Sequence, residues 1–403
     1  MHESPAHEDV ELGDLENDAF LPREDNSKPI FKQRSILTRW IPPRIQRFFY
    51  NVSKVWLVVV ILIIFVLGVS FSAYMQANEM MDVKISAESM ALRDKLAQGL
   101  NDTAIPDFVL EYAPYVYLHR DDVYYPSDLA KHIDNTYATI NFTAIVNAPK
   151  PLTLNNLNDL NEVGGENIFL SSKQDVTTLP KFLHGQKPDP VTYRTDNAKS
   201  CVVIVVDKGN GVIDAFYMYW YIFNDGPKAI GHQVGNHLGD WEHNMIRFQN
   251  GTPTAVWYSQ HEFGFAFTYA AVQKIGKRPV AFSAKGSHAN YAVADGLIPA
   301  HIVYDRTQQG KLWDPTLSAY YYTYSISNKT FTPTPIAGEE TPVNYLYFNG
   351  RWGDDQFPLS KKGQEEFHGY SKWIAGPQGP WFKSLDRVDV CLPGRECVIR
   401  DKL

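Results

Sequence analysis

Six acid and imidazole side chains crowd into nineteen positions of this chain: Asp225, His232, His237, Asp240, Glu242 and His243, within the stretch YWYIFNDGPKAIGHQVGNHLGDWEHNMIRF from Tyr219 to Phe248. If DWEHNMIRF is a strand, its period of two sends Asp240 and Glu242 to one face and Trp241 and His243 to the other. His237 stands three residues before Asp240, in a loop loosened by Gly235 and Gly239, and Asp225 closes the preceding aromatic strand. Two carboxylates side by side repel each other and resist desolvation unless a positive charge sits between them. A hard divalent cation, Mg²⁺ or Ca²⁺, meets that need with oxygen ligands and a water-linked imidazole, whereas Zn²⁺ prefers more His or Cys. Asp225, His237, Asp240 and Glu242 are therefore the candidate metal ligands. Paired carboxylates equally suit acid–base hydrolysis, and the plain alternative is a polar cluster that hydrogen-bonds its own loops. His261 in SQHEFG and His288 in KGSHANY are further candidates, although a single histidine in a strand-rich segment is more often a satisfied structural group. Ser287 beside His288 makes no triad, because adjacent strand residues face opposite ways. No GxSxG, HExxH or EF-hand pattern occurs.

The elements that must hold these groups read as strands. From about residue 108 onward, short runs of Val, Ile, Tyr, Phe and Trp alternate with clusters of Gly, Pro, Asn and Asp. In SCVVIVVDKGNGVIDAFYMYWYIF, two apolar runs flank DKGNG, whose Gly and Asn supply the positive φ of a hairpin turn. HNMIRFQ, PTAVWYSQHE, RPVAFSAKGSHANYAV and YTYSISN are further strand candidates. This spacing predicts a mainly β fold, a β-sandwich over 108–403 with a few helices in the 126–190 connections. No α/β alternation and no Gly-rich dinucleotide turn is present. Residues 76–107 carry helix formers with neither Pro nor Gly until Gly99, and predict a helical stem.

Upstream lies the segment that decides topology. Val55 to Met75, VWLVVVILIIFVLGVSFSAYM, contains no charge; at about 1.5 Å per residue it reaches about 31 Å, close to a hydrocarbon core of about 30 Å. Arg39, Arg44, Arg47 and Lys54 precede it closely, while the bases behind it are farther off and mixed with acids. This bias predicts a signal-anchor with 1–54 in the cytosol and the rest lumenal. Sequons at Asn101, Asn141, Asn250 and Asn328 all follow the span. So do the cysteines: Cys391 and Cys397 bracket LPGRE between RVDV and VIRD, which reads as a hairpin whose sulfurs could bridge in an oxidising lumen, and Cys201 reads as a buried thiol. The first 25 residues are acidic with almost no aromatics, as in a disordered tail. Within them, Glu16 followed by Phe20-Leu21-Pro22 looks like an acidic dileucine-type signal read by sorting adaptors. Overall, 38 Lys and Arg against 45 Asp and Glu give a net charge of −7, which speaks against a nucleic-acid partner.

Four motifs in order, YAPYVYLHRDDVYYPSDL (Tyr112 to Leu129), NHLGDWEH (Asn236 to His243), AKGSHANY (Ala284 to Tyr291) and GRWGD (Gly350 to Asp354), together resemble the fungal vacuolar protein sorting-associated protein 62 family. That resemblance implies a role in delivering proteins to the vacuole, on an endomembrane or the vacuolar membrane, and names no reaction. GHQVGNHLGDWEH is also similar to the GHRHDWE heptapeptide of the necrosis- and ethylene-inducing-like proteins, secreted β-sandwiches that bind a divalent cation and sphingolipid headgroup sugars. Carried over, the motif's His falls on His237, its Asp on Asp240 and its Glu on Glu242, with the upstream Asp best matched by Asp225. Gly239 replaces the motif's second His, and the gap from Asp225 is longer. Together these likenesses imply sorting by cation-assisted recognition of a glycan or lipid headgroup; the alternative is a lumenal metal-dependent hydrolase acting on a glycan or phosphoester.

Overall fold

The structure, a computed structural model, describes residues 83–403 apart from 295, 301, 302, 337 and 395, and before them residues 42, 44, 45, 52, 54 and 56–68. Two compact units divide the chain, Met1–Ala77 and Asn78–Leu403. In the first, residues 56–68 are helical with every side chain exposed. Among the described residues no helix is long and apolar enough to cross a membrane; Val55 and 69–75 of the expected span lie outside them, as do Glu16, Phe20 and Leu21.

In the second unit, thirteen strands form the two principal sheets: β1 (Tyr115–Leu118), β2 (Cys201–Gly209), β3 (Val212–Asn224), β4 (His237–Gln249), β5 (Thr252–Gln260), β6 (Phe263–Thr268), β7 (Lys274–Ile275), β8 (Arg278–Ser283), β9 (Asn290–Tyr291), β10 (Lys311–Trp313), β11 (Ala319–Ser325), β12 (Thr330–Thr334) and β13 (Ile399–Arg400). The larger sheet has the order β12-β11-β2-β3-β4-β5-β6-β13, and the smaller β7-β8-β1-β10 with β9 on β8. The hairpin predicted at DKGNG joins β2 to β3, and its tip residues Asn210 and Gly211 sit at φ +53° and +73°, the handedness that matches strand twist in a tight turn.

The large sheet is buried on both faces. One face packs Cys201, Val203, Tyr217, Tyr219 and Tyr221 against Val116, Leu118, Ala281 and Trp313 of the smaller sheet. The other packs Val202, Ile204, Trp220, Trp241 and Trp257 against residues from the 129–170 and 345–391 segments, among them Leu129, Leu160, Ile168 and Trp352. Double coverage explains why β2 and β3 read as continuous apolar runs rather than an alternation. The fold is thus mainly β with few helices.

Three local expectations change. The helix α1 (Ala87–Leu100), capped by Ser86 Oγ accepting from the Ser89 N–H at 3.0 Å, is no separate stem: Leu96, Ala97 and Leu100 pack into the inter-sheet core. RVDV is not a strand; β13 instead adds in parallel to β6, with Ala266 opposite Ile399, and Cys391 is bonded to Cys397 across the intervening turn. RPVAFSAKGSHANYAV is broken after Ser283, because His288 and Gly286 turn at φ +54° and +75° before β9 begins.

Candidate functional site

The aromatic repeat of β3 and the acidic repeat of β4 are in antiparallel register, with Tyr221 opposite Asp240, Trp220 opposite Trp241 and Tyr219 opposite Glu242. Asp240 and Glu242 therefore share the face of Tyr219 and Tyr221, as strand periodicity predicts, and Trp241 points to the other core, its ring centroid 4.8 Å from that of Trp220. His237 is the first residue of β4 rather than a loop residue, opposite Asn224. Gly239, at φ +76°, is required there: a Cβ would lie 2.0 Å from the Trp352 carbonyl oxygen.

His237, Asp240 and Glu242 line one cavity of about 710 Å³, together with His261, Glu262, Ser287, Arg351, Tyr370 and Lys383 among others. His237 Nδ1 lies 2.7 Å from the Gly239 carbonyl, and burial holds its imidazole below the ordinary histidine value. Asp240 Oδ2 lies 2.8 Å from His288 Nδ1; Glu242 Oε2 accepts from Ser259 Oγ at 3.0 Å. Among the described residues no hydrogen bond reaches the second oxygen of either carboxylate. Asp225 does not line this cavity. It turns toward Gln233, whose Nε2 donates to Oδ1 at 2.5 Å, and burial, offset by that bond and reinforced by Asp122, raises its carboxyl above the usual range.

The positive charge that two neighbouring carboxylates demand comes from the protein. Burial alone would neutralise His288, but the bond to Asp240 and the nearby Asp122 carboxylate hold its imidazole above the ordinary value. The ring also stacks on Tyr221 with centroids 3.8 Å apart. Burial, then the Asp240 charge, pushes Glu242 well up, and Lys383 works against that rise. Lys383 itself, donating to the Trp241 carbonyl at 2.7 Å, is pulled down by burial and held back by Glu242 and Asp240. A second dyad adjoins: Asp305 takes His261 Nε2 at 2.7 Å, Ser287 Oγ at 2.7 Å and the Tyr291 hydroxyl at 2.7 Å. That bonding outweighs burial, keeping Asp305 below the usual carboxylate range and His261 above the histidine one. Ser287 and His288 thus belong to two different networks, parted by a turn rather than by strand alternation.

Three of the four expected ligands, His237, Asp240 and Glu242, meet in one cavity that His261 also lines, and His288 is buried against Asp240 without lining it. His232 stacks on Phe367 on a separate hairpin, and His243 faces Arg387 in the opposite core at 3.1 Å. Among the described residues no group of three or more His, Cys, Asp or Glu side chains is gathered in a way that could hold a metal ion. The second oxygens of Asp240 and Glu242 have the right chemistry for a hard cation, but only as a pair. Asp122, Ser259, Asp305, Arg351 and Lys383 escaped the sequence reading; Asp122 and Arg351 sit inside the quoted motifs RDD and GRWGD, the one signal that could have found them.

Fold and site together define a mainly β protein built on two principal sheets, with a polar cavity lined by the carboxylates of Asp240, Glu242 and Glu262. Residues 228–303 match the family model described as vacuolar protein sorting-associated protein 62. Two proteins of Saccharomyces cerevisiae named for vacuolar protein sorting are similar over most of the chain. TDA6 is 37% identical over 322 residues, covering 71% of this chain and 68% of its own. Vacuolar protein sorting-associated protein 62 is 34% identical over 327 residues, again covering 71% and 68%. The chain belongs to the vacuolar protein sorting-associated protein 62 family. Solved structures of necrosis- and ethylene-inducing protein 2 from the causal agent of cocoa's witches' broom disease (13% identity, 48% of this chain and 70% of that one, TM-score 0.24) and of NLPPya in complex with glucosamine (11%, 52% and 75%, TM-score 0.23) are also similar. Likenesses this slight carry no assignment of fold or ligand.

Proposed function

We propose that this protein serves protein sorting to the vacuole, as the names of its yeast relatives suggest, from a single-pass type II position in an endomembrane, with residues 78–403 lumenal. The helical, wholly exposed apolar run at 56–68 supports the anchor. Asn101, Asn141, Asn250 and Asn328 are all exposed, as glycan acceptors must be, and the Cys391–Cys397 bond suits an oxidising compartment. In the cytosol, Glu16, Phe20 and Leu21 would offer the adaptor signal.

The lumenal cavity is then a recognition site for the hydroxyls of a glycan or lipid headgroup. The observation that carries this reading is that Asp240 and Glu242 both line the cavity with one oxygen each that takes no hydrogen bond among the described residues. Such oxygens accept sugar hydroxyls directly. Asp240 and Glu242, with His237 beside them, would be the residues to hold Mg²⁺ or Ca²⁺, which would supply further coordination for the same hydroxyls, while Tyr370, 46% exposed on the cavity wall, offers a stacking ring. Calorimetric titration of the full chain with a monosaccharide panel, with and without each ion, tests it: binding should be lost in Asp240→Asn, and binding unchanged in that variant sinks the site.

One observation favours a hydrolase as the second reading. Burial and the Asp240 charge push Glu242 upward while it lines the cavity beside a second carboxylate, and a pair of carboxylates in unlike environments is what acid–base hydrolysis uses. Turnover of a glycan or phosphoester that disappears in Glu242→Gln would select it.

A further inference from the structure

We propose that Arg351 makes its part of the cavity wall an acid-binding subsite, so that the ligand is a polyol bearing a phosphate group. The proposal deepens the polyol reading above and rests on it.

Arg351 is less engaged than the other enclosed arginines, and Arg387, which also lacks a carboxylate, spends its guanidinium on His243 and the carbonyls of Lys383, Ser384 and Val390. Arg278 grips Asp314 with bonds of 2.5 and 2.8 Å, and Arg247 grips Asp214 with bonds of 2.7 and 2.8 Å. Arg351 lines the cavity; its guanidinium makes a single hydrogen bond, Nη1 to the Gly376 carbonyl at 3.4 Å, and among the described residues no carboxylate pairs with it. A guanidinium has five N–H donors in a rigid fork that fits phosphate oxygens two at a time, and four of these are unspent.

Its backbone is fixed in advance. The Arg351 N–H donates to Ile168 at 2.8 Å, and its carbonyl accepts from Leu170 at 2.9 Å. Trp352, fully buried, is next in the chain. The same loop presses directly on β4: the Trp352 carbonyl fills the space a Cβ on Gly239 would take, and Gly353 lies where a Cβ would come 1.9 Å from the Leu238 carbonyl. The backbone that carries Arg351 is therefore held against β4 before a ligand arrives.

Charge fixes the ligand's polarity. Asp240, Glu242 and Glu262 would repel a phosphate at their end. Lys383 is engaged by Trp241 and Glu242, and His261 by Asp305. Arg351 is the lining cation without a charged partner among the described residues, so the acid group lies there and the hydroxyls at β4. A cavity of about 710 Å³ is in the range that holds a small ligand whole.

The test is calorimetry on the full chain with glucose, glucose 6-phosphate and inorganic phosphate, and flotation with phosphatidylcholine vesicles with and without phosphatidylinositol. Glucose 6-phosphate should bind about tenfold or more tightly than glucose. Arg351→Gln should abolish that preference and the binding of inorganic phosphate; Arg351→Lys, which keeps the charge but not the fork, should retain part of both. Asp240→Asn should weaken both sugars and spare inorganic phosphate. Flotation only with phosphatidylinositol would assign the phosphate to a lipid, and no flotation with sugar phosphate bound would assign it to a soluble ligand; either supports the subsite. Equal affinity for the two sugars, or phosphate binding that persists in Arg351→Gln, overturns the acid subsite and leaves the polyol reading standing. Arg351-dependent phosphate binding with no sugar bound does the reverse.

Discussion

Asp354, the last residue of GRWGD, shows how one side chain sets a pH dependence. Its Oδ1 accepts from the Ser172 N–H at 3.1 Å, while Oδ2 is buried without a partner. Burial, reinforced by Asp175, pushes its carboxyl up to about 6. An acid whose folded value exceeds its unfolded one, near 3.9, holds its proton more tightly when folded. Its stabilising contribution is therefore complete below about pH 4 and is lost as pH rises through about 6, at a cost of about 2–3 kcal/mol once ionised. Asp354→Asn keeps the neutral shape. It should match the native chain at pH 4 and exceed it by about 2 kcal/mol at pH 7.5 in urea denaturation; a difference that does not change with pH would refute this. At Gly239 the sign is opposite. Gly239→Ala puts a methyl 2.0 Å from the Trp352 carbonyl at φ +76°, so a loss of about 2 kcal/mol or more is expected by the same measurement, with sugar binding weakened as the start of β4 shifts.

At the scale of elements, a buried ion pair ties three of them together. Asp314, just past β10, accepts both arms of Arg278 from β8, caps the following turn at Thr316 and lies 3.8 Å from Arg93 of α1. Asp314→Ala strands the Arg278 charge in the core and should cost about 3–5 kcal/mol, with amide exchange rising first across 87–100, where α1 would undock; protection unchanged there would mean that Leu96, Ala97 and Leu100 hold the helix alone. The docking itself was not legible in the sequence. The helix formers of 87–100 predict a helix, but a helix this weakly amphipathic gives no hint of which neighbour it meets. The central sheet was legible, because β2 and β3 carry long β-branched and aromatic runs around an Asn-Gly turn, and because the alternation of Asp240 and Glu242 survives burial. What compensates those carboxylates was not: His288, Lys383 and Ser259 lie 48, 141 and 17 residues from their partners in the chain, and spacing says nothing about contacts made by folding. The turn at 284–289 is masked in the sequence, since Ala, Ser and Ala-Asn-Tyr continue the β texture while the positive φ of His288 leaves no mark on composition.

For the whole molecule, the question is where the second unit sits. Trp56, Leu57, Ile61, Ile64, Phe65 and Leu67 are each more than half exposed on the helical run 56–68. An apolar surface of that kind, unrelieved by any polar face, is costly in water at about 25 cal/mol per Å² and favourable in lipid. Thirteen residues of helix cover about 20 Å, so spanning about 30 Å of hydrocarbon also needs Val55 and the uncharged residues 69–75 that follow. If the anchor holds, the full chain stays with the membrane pellet after alkaline carbonate extraction. Protease added to sealed microsomes then trims only the acidic tail, and a glycosidase lowers the mass of the protected fragment through Asn101, Asn141, Asn250 or Asn328. Cleavage of the second unit outside intact vesicles would place the cavity, its carboxylates and the Cys391–Cys397 bond in a reducing cytosol. In that compartment the cysteines would be reduced, and a chain carrying Asn→Gln at all four sequons would migrate unchanged.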